Sequence, residues 1–243
     1  NVEEFEAEII KWNFRIMDNK TYSIENNELS IVSDVDQSIY KNNHKLTADK
    51  IIQILDTVRD EASKSRRRWI WELMQNAKDV PNQFEQVNIK IELSDSELKF
   101  SHNGNPFSID NITGLIQQVS SKPSDSTDEN TTGKFGTGFI TTHLLSDIIK
   151  VKGIVKRQEN KFKKFDLILD RSRRTSEELL PRIEEAIENI RRIDSNPGFP
   201  IIENYEQNRK VEDLDSSFAY SIQDEPSRNA AIVGLNDLVF TLP

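Results

Sequence analysis

At Val87 the spacing of apolar residues changes period, and this switch constrains the fold more than any other feature of the chain. Upstream, Ile51, Ile54, Leu55 and Val58 recur at helical spacing within ADKIIQILDTVRDEA, and Trp69, Leu73 and Ala77 do so within WIWELMQNAKDV. Downstream, VNIKIEL and ELKFSHNG alternate apolar with polar residues, as strands do, with SDSE between them as a hairpin turn. Side chains of period 3.6 and of period 2 line one face of different elements, so the chain must build both helices and a sheet. Thr47 is expected to cap the first of these helices, and Pro81 to stop the second.

The pattern continues in the same alternating style. PFSIDNITGLIQQVS predicts a loop and a helix with Asp110 capping its first turn. SSKPSDSTDENTTGKFGTG predicts a polar loop, and FITTHLLSDI a return to helix. IIKVKGIVK and KKFDLILDR predict two strands joined at RQEN. RRTSEELLPRIEEAIENIRRI predicts an exposed helix that Pro181 either interrupts or starts. SSFAYSIQ predicts a further strand, and AAIVGLNDL a short closing helix. Residues 1–45 are expected to hold mixed elements, with Phe5, Ile9 and Trp12 near one face of a short helix and alternation around Leu29 and Ile31.

Neighbouring strand pairs, rather than a regular βαβ series, imply an α/β (α+β) fold. The expectation is a two-layer sandwich of a mixed, mostly antiparallel sheet with helices on one face. The expected organisation is an N-terminal extension, 1–46, packed on a main domain of 47–243 that carries a helical insertion near 171–213. The opening without Met and the abrupt close at VFTLP suggest the N-terminal part of a longer protein.

Composition removes several function classes. The 243 residues include no cysteine, which excludes a disulfide framework, a thiolate nucleophile and Cys-ligated metal. Forty-one acidic against 32 basic side chains give a net charge of −9, which disfavours coating nucleic acid but leaves room for a locally held phosphate. No apolar run reaches the roughly 20 residues of a membrane span. Together with the absence of a signal-peptide pattern at the start, this predicts a cytoplasmic protein without membrane contact.

Three constellations carry chemistry. Glu72, Asn76 and Asp79 stand at i, i+4 and i+7, on nearly one side of a helix whose other side is apolar. A carboxylate there can deprotonate water and an amide oxygen can coordinate Mg²⁺. An ordinary amphipathic helix with a polar outer face accounts for the same spacing. Gly133, Gly136 and Gly138 in TTGKFGTGF suit a tight turn that offers backbone N–H groups to an anion, with Lys134 adding charge and the helix from Phe139 adding its positive end. The segment is not a P-loop, because GK is not followed by Ser or Thr. In SHNGNPF, His102, Asn103 and Gly104 sit at a strand end, where a plain β-turn is the alternative.

In this order, over roughly residues 47–170 and extending toward Tyr220, the three resemble the GHKL ATPase superfamily. This is the Bergerat fold shared by gyrase, histidine kinases and the ninety-kilodalton heat-shock chaperone, and the similarity is greatest to its sacsin and chaperone-like branch. The resemblance implies a Bergerat ATP-binding fold with ATP and Mg²⁺ as cofactors. It makes Glu72 the water-activating base, Asn76 the Mg²⁺ ligand and Asp79 a residue near the nucleotide. ATP-contacting residues would be His102, Asn103 and Gly104, then Gly133, Lys134, Phe135, Gly136, Thr137, Gly138 and Phe139, with Ser217 standing in for the late threonine. The stretch from about Gly114 to Thr132 would be the lid. The chain departs from the superfamily where its middle motif has an aspartate that accepts from the adenine amino group. His102 and Asn103 stand there, and Pro106 replaces a glycine.

The function implied is Mg²⁺-dependent ATP binding and slow hydrolysis that switches downstream domains of the same protein or a nucleotide-dependent homodimer. The alternative is a degenerate nucleotide-sensing or protein-interaction module. A phosphoacceptor role for His44 has no supporting helical setting. His143 is expected to be packed or at the surface, Trp69 and Trp71 to be packing residues, and SRRRW to be a solvated helix start.

Overall fold

The computed structural model describes residues 27–80, 82–118, 138–157 and 161–241. The readings placed on Phe5, Ile9, Trp12, Pro81, the lid beyond 118 and Gly133, Lys134, Phe135, Gly136 and Thr137 fall outside them. The chain divides into two units, Asn1–Asn43 and His44–Pro243.

Helix α1 runs Asn27–Asp60. Thr47 therefore lies inside it rather than at its start, and Leu29 and Ile31 have helical backbone instead of strand alternation. Residues 27–46 contain neither Gly nor Pro, so nothing in the backbone stops the helix from extending upstream. In the second unit α1 buries Ala48, Ile51, Leu55 and Val58, the helical stripe expected from the sequence. A short helix α2, Ala62–Ser65, leads to α3, Arg68–Lys78, which buries Trp69, Ile70, Leu73, Asn76 and Ala77.

Strands β1, Ile89–Leu93, and β2, Glu97–His102, form the expected hairpin. Helix α4, Ile109–Gln117, follows, capped by Ser108 and not by Asp110. The Asn111 N–H donates to Ser108 Oγ at 3.1 Å and the Ser108 N–H to Asn111 Oδ1 at 3.0 Å. Asp110 sits in the first turn, where its charge favours the helix dipole. Gly114, the expected start of the lid, lies inside α4, which continues to Gln117, and Leu115 and Ile116 are core residues.

FITTHL, expected as α-helix, forms a 3₁₀ helix over Phe139–Leu144. Strands β3, Ile148–Lys156, and β4, Phe162–Asp170, pair antiparallel. Helix α5, Ser176–Arg191, starts five residues before Pro181, with the Thr175 hydroxyl accepting from the Glu178 N–H at 3.4 Å. Pro181 thus neither starts nor interrupts it, though it forfeits one amide donor. This helix is exposed on one side only: Leu179, Ile183, Ala186 and Ile190 join the main core. Strand β5, Ile201–Ile202, a short helix α6, Tyr205–Asn208, strand β6, Ser216–Ser221, and helix α7, Glu225–Thr241, complete the chain. Helix α7 is 17 residues long, well beyond the short helix expected.

The sheet has six strands in the order β1-β2-β6-β3-β4-β5, and all its strand pairs are antiparallel. Burial alternates along β3 and β4. Ile149, Val151, Phe165, Leu167 and Leu169 face the core, while Lys150, Lys152, Lys164 and Asp166 are exposed. Helices α1, α3, α4, α5 and α7 pack apolar residues into one core with Leu98, Phe100, Phe218 and Tyr220 of the strands, and Tyr205 of α6 forms a small second cluster with Ile154 and Phe162. Trp69 and Trp71 are packing residues, as expected. Their indole N–H groups tie α3 to α7 by donating to the Ala230 carbonyl at 3.0 Å and to Asp237 Oδ2 at 2.8 Å. Among the described residues no helix is long and apolar enough to cross a membrane.

Candidate functional site

Described residues from the three sequence motifs, Glu72, Gly104 and Gly138, come together at helix α3 and the turn that follows it. Near its first turn the Glu72 carboxylate lies directly against Gly138, so close that a Cβ on that glycine would overlap the carboxylate carbon and both its oxygens. At its other end, past the C-cap at Asp79, the Val80 carbonyl accepts from the Asn105 N–H at 3.1 Å. A Cβ on Gly104 would stand 2.5 Å from Val80 Cγ2 and 2.8 Å from His102 Nδ1. The absence of a side chain at these two glycines is what lets Gly104 close against Val80 and Gly138 close against Glu72.

The Glu72 side chain is 24% exposed and pairs with Arg68 one turn earlier, Oε1 to Nη2 at 3.4 Å. Asn76 is buried, and its amide nitrogen has no hydrogen-bond partner among the described residues. Leaving a buried amide donor unsatisfied costs about 1–3 kcal/mol, and this N–H group is distinct from the Oδ1 that a metal would use. Asp79 Oδ1 accepts from Gln75 Nε2 at 3.0 Å.

His102 is 3% exposed. Its ring stacks on Phe218 of β6, centroids 6.2 Å apart at 15°, and Phe218 in turn meets Phe139 at 5.5 Å. Phe139 directly follows Gly138, so aromatic contacts link the His102 turn to the Glu72 neighbourhood across the buried face of the sheet. Burial, and secondarily the charge of Arg209, push the His102 pKa down to about 4.

Asn103 is fully buried and holds the turn itself. Its Oδ1 accepts from the Asn88 N–H at 2.7 Å, and its amide hydrogens go to the Gln86 and Val211 carbonyls at 3.2 and 2.8 Å. Its own carbonyl accepts from Asn82 Nδ2 at 2.7 Å and from Arg209 Nη2 at 2.5 Å. With both amide hydrogens committed to backbone, Asn103 shapes the site instead of offering donors to a ligand. Gly104 makes its close approach to Val80 and His102.

Ser217 stands apart. Cross-strand partners share a sheet face, and the register pairs His102 with Ser216 and Ser101 with Ser217. Ser216 is therefore the hydroxyl on the His102 side, and Ser217 is on the opposite face. Counting back by twos from Tyr220 and Phe218 reaches Ser216, so period-2 reading of SSFAYS carries the signal that selects it.

Arg209 is the residue that sequence reasoning missed. It is buried, pairs with Asp215 Oδ2 at 3.0 Å, and donates to the carbonyls of Asn103 and Gly104 at 2.5 and 2.6 Å. Within the charged run ENYEQNRKVED it is indistinguishable from a solvated arginine. His143 is a packed histidine, with Nδ1 3.1 Å from the Ser146 carbonyl; burial and then Arg171 push its pKa down to about 3. The arginines of SRRRW face polar partners: Arg66 donates to Asn229 at 3.1 Å and Arg67 approaches Asp237 at 3.5 Å.

The donor set bears on Mg²⁺. Among the described residues no cluster of three or more His, Asp or Glu side chains can hold a metal ion by itself. Mg²⁺ commonly takes one or two protein oxygens, completing its shell with water and substrate phosphates, and Asn76 beside Glu72 fits that mode.

No family model matches the chain, and no match is found among curated proteins.

Proposed function

We propose that the second unit binds a nucleoside triphosphate with Mg²⁺ and hydrolyses it slowly, switching attached domains or a dimer partner. ATP is the nucleotide implied by the resemblance. The observation that carries this reading is the placement of Glu72 against Gly138 at one end of α3 and of the His102 turn at the other. Glu72 and Val80 are eight residues apart, about 12 Å along a helix. A ligand touching both would be elongated, and in this reading its phosphate end lies toward Glu72 and Gly138. The strand order and the helices on the buried face support a Bergerat arrangement.

In this reading Glu72 accepts a proton from the water that attacks the γ-phosphorus in line. The bond to the β–γ bridging oxygen breaks, and the diphosphate leaves. Asn76 would hold Mg²⁺, which supplies charge neutralisation on the phosphates. Gly138 keeps the Glu72 carboxylate at the phosphate end, and backbone amides of residues 133–138 would stabilise the developing charge. Phe139, Phe218 and the His102 ring pack in the buried core, behind the position this reading gives the base.

The ion pair between Arg68 and Glu72 favours a second reading, a nucleotide sensor without turnover, because a guanidinium beside the base competes for its charge. Calorimetry with ATP, ADP and GTP, with and without Mg²⁺, combined with phosphate release from wild type and Glu72→Gln, separates these. The hydrolase reading expects Mg²⁺-dependent binding in both proteins and a hundredfold or greater loss of turnover in the variant. Binding without wild-type turnover leaves the sensor, and no binding leaves a protein-interaction scaffold. Equal turnover in the two proteins ends the assignment of Glu72.

A further inference from the structure

The hydrogen bonding of His102 fixes which ring nitrogen carries its proton. The Gly104 N–H lies 3.0 Å from His102 Nδ1. A backbone amide can only donate, so Nδ1 must be the acceptor and carry no proton. The ring is buried between Phe100 and Phe218, at centroid distances of 6.2 Å to each. The charged group facing it is Arg209, anchored on the carbonyls of Asn103 and Gly104. A second positive charge on the imidazole is disfavoured there, in keeping with its lowered pKa. A neutral ring whose Nδ1 is unprotonated carries its hydrogen on Nε2. Nε2 makes no hydrogen bond to any described residue.

We infer that His102 reads the bound nucleotide as a hydrogen-bond donor through Nε2–H, so the base edge facing it carries an acceptor. This rests on the nucleotide-binding reading above. It inverts the polarity that the resemblance implies for this position, where a carboxylate accepts from the adenine amino group. On the Watson–Crick edge of a purine the required acceptor is N1 of adenine or O6 of a 6-oxopurine. The adenine 6-amino group is a donor and is not complementary to this ring. A site built to hydrogen-bond a particular ligand group discriminates strongly against ligands that lack it, because its own polar group is then left unpaired.

The test titrates the full chain with Mg²⁺ and two pairs of ligands. ATP is compared with 1-deaza-ATP, which lacks N1. GTP is compared with 2-aminopurine riboside triphosphate, which lacks O6. Whichever parent binds more tightly is expected to lose tenfold or more in affinity when its acceptor is removed, and that parent identifies the base. His102→Asp, an acceptor at the same place, is expected to abolish that loss for ATP. Long-range ¹⁵N NMR of the His102 ring in the unmodified chain supplies a readout independent of any variant's folding, with the Nε2–H tautomer expected. Analogues that bind as well as both parents overturn the inference, as does an Nδ1–H tautomer. If no nucleotide binds while the Nε2–H tautomer is observed, the nucleotide reading fails and the inference falls with it.

Discussion

The Glu72 carboxylate and the Cα of Gly138 are in direct contact, although 66 positions of sequence separate them. The carboxylate has a fixed seat only because residue 138 has no side chain. Gly138 has an ordinary right-handed backbone, so an alanine there keeps the local conformation, and its three nearest conflicts are all with the Glu72 carboxylate.

Gly138→Ala is therefore expected to act on chemistry more than on folding. A displacement of the base by about 1 Å can cost on the order of a hundredfold in rate. Phosphate release should fall by about that factor while the thermal melting curve moves by only a few degrees. A variant that melts normally and turns over normally would count against Glu72 acting from this seat.

Arg209→Ala should be the most damaging single change in the turn. It takes the ion-pair partner from Asp215, which keeps only the Tyr205 hydroxyl among the described residues, and removes the donor shared by the Asn103 and Gly104 carbonyls. Breaking a buried pair by removing one partner costs about 3–5 kcal/mol. Denaturant unfolding is expected to register a loss of that size. A change below about 1 kcal/mol would mean that the turn holds without its arginine.

Ser216 and Ser217 make a matched pair of controls. Only Ser216 shares a face with His102. Ser216→Ala is expected to weaken nucleotide binding about fivefold, the equivalent of one modest hydrogen bond. Ser217→Ala should leave it unchanged. Calorimetry on the two variants checks this, and the opposite order would place the ligand on the other face of the sheet.

Stability should fall as the solution is acidified. His102 and His143 stay neutral in the folded chain down to about pH 4 and about pH 3, whereas an unfolded histidine protonates near pH 6.5. Between those limits the unfolded state binds more protons. The stability contribution is therefore complete above about 6.5 and is lost as pH drops toward the folded values. At pH 5.5 the loss is roughly 1.4 kcal/mol per histidine. Denaturant titrations at pH 7.5 and 5.5 should show it, and His143→Asn should reduce the pH dependence by about one histidine's share.

The elements that could be read from sequence are those whose burial follows one period. Trp69, Leu73 and Ala77 announce α3, and alternation over 148–153 and 163–169 announces strands β3 and β4. The exceptions have local causes. Thr47 looked like a cap because it precedes an apolar stripe, yet nothing upstream of it breaks a helix. Asp110 lost the cap to Ser108, because the cap depends on backbone extended at one particular residue, which side-chain type alone does not specify. Glu72 and Asn76 were legible as a polar stripe, but the contact of Glu72 with Gly138 is tertiary and leaves no mark in local spacing. Arg209 was illegible for the same reason: its partners are the carbonyls of Asn103 and Gly104, more than a hundred positions upstream, and carbonyls are chemically identical in every residue.

Strand β6 lies between β2 and β3 although it is the last strand in the chain. The two hairpins, β1-β2 and β3-β4, have no strand pairing to each other and are joined in the sheet only through residues 216–221. Each hairpin closes locally, but the sheet becomes continuous only when this late segment threads into the gap. A nascent chain must emerge past Ser221 before its core can close, and until then both hairpins expose an unpaired edge beside apolar residues. Assembly of such a long-range centre is slow relative to local hairpin closure. The window before it is where self-association competes with folding, a hazard set by strand order and not by the chemistry of the site.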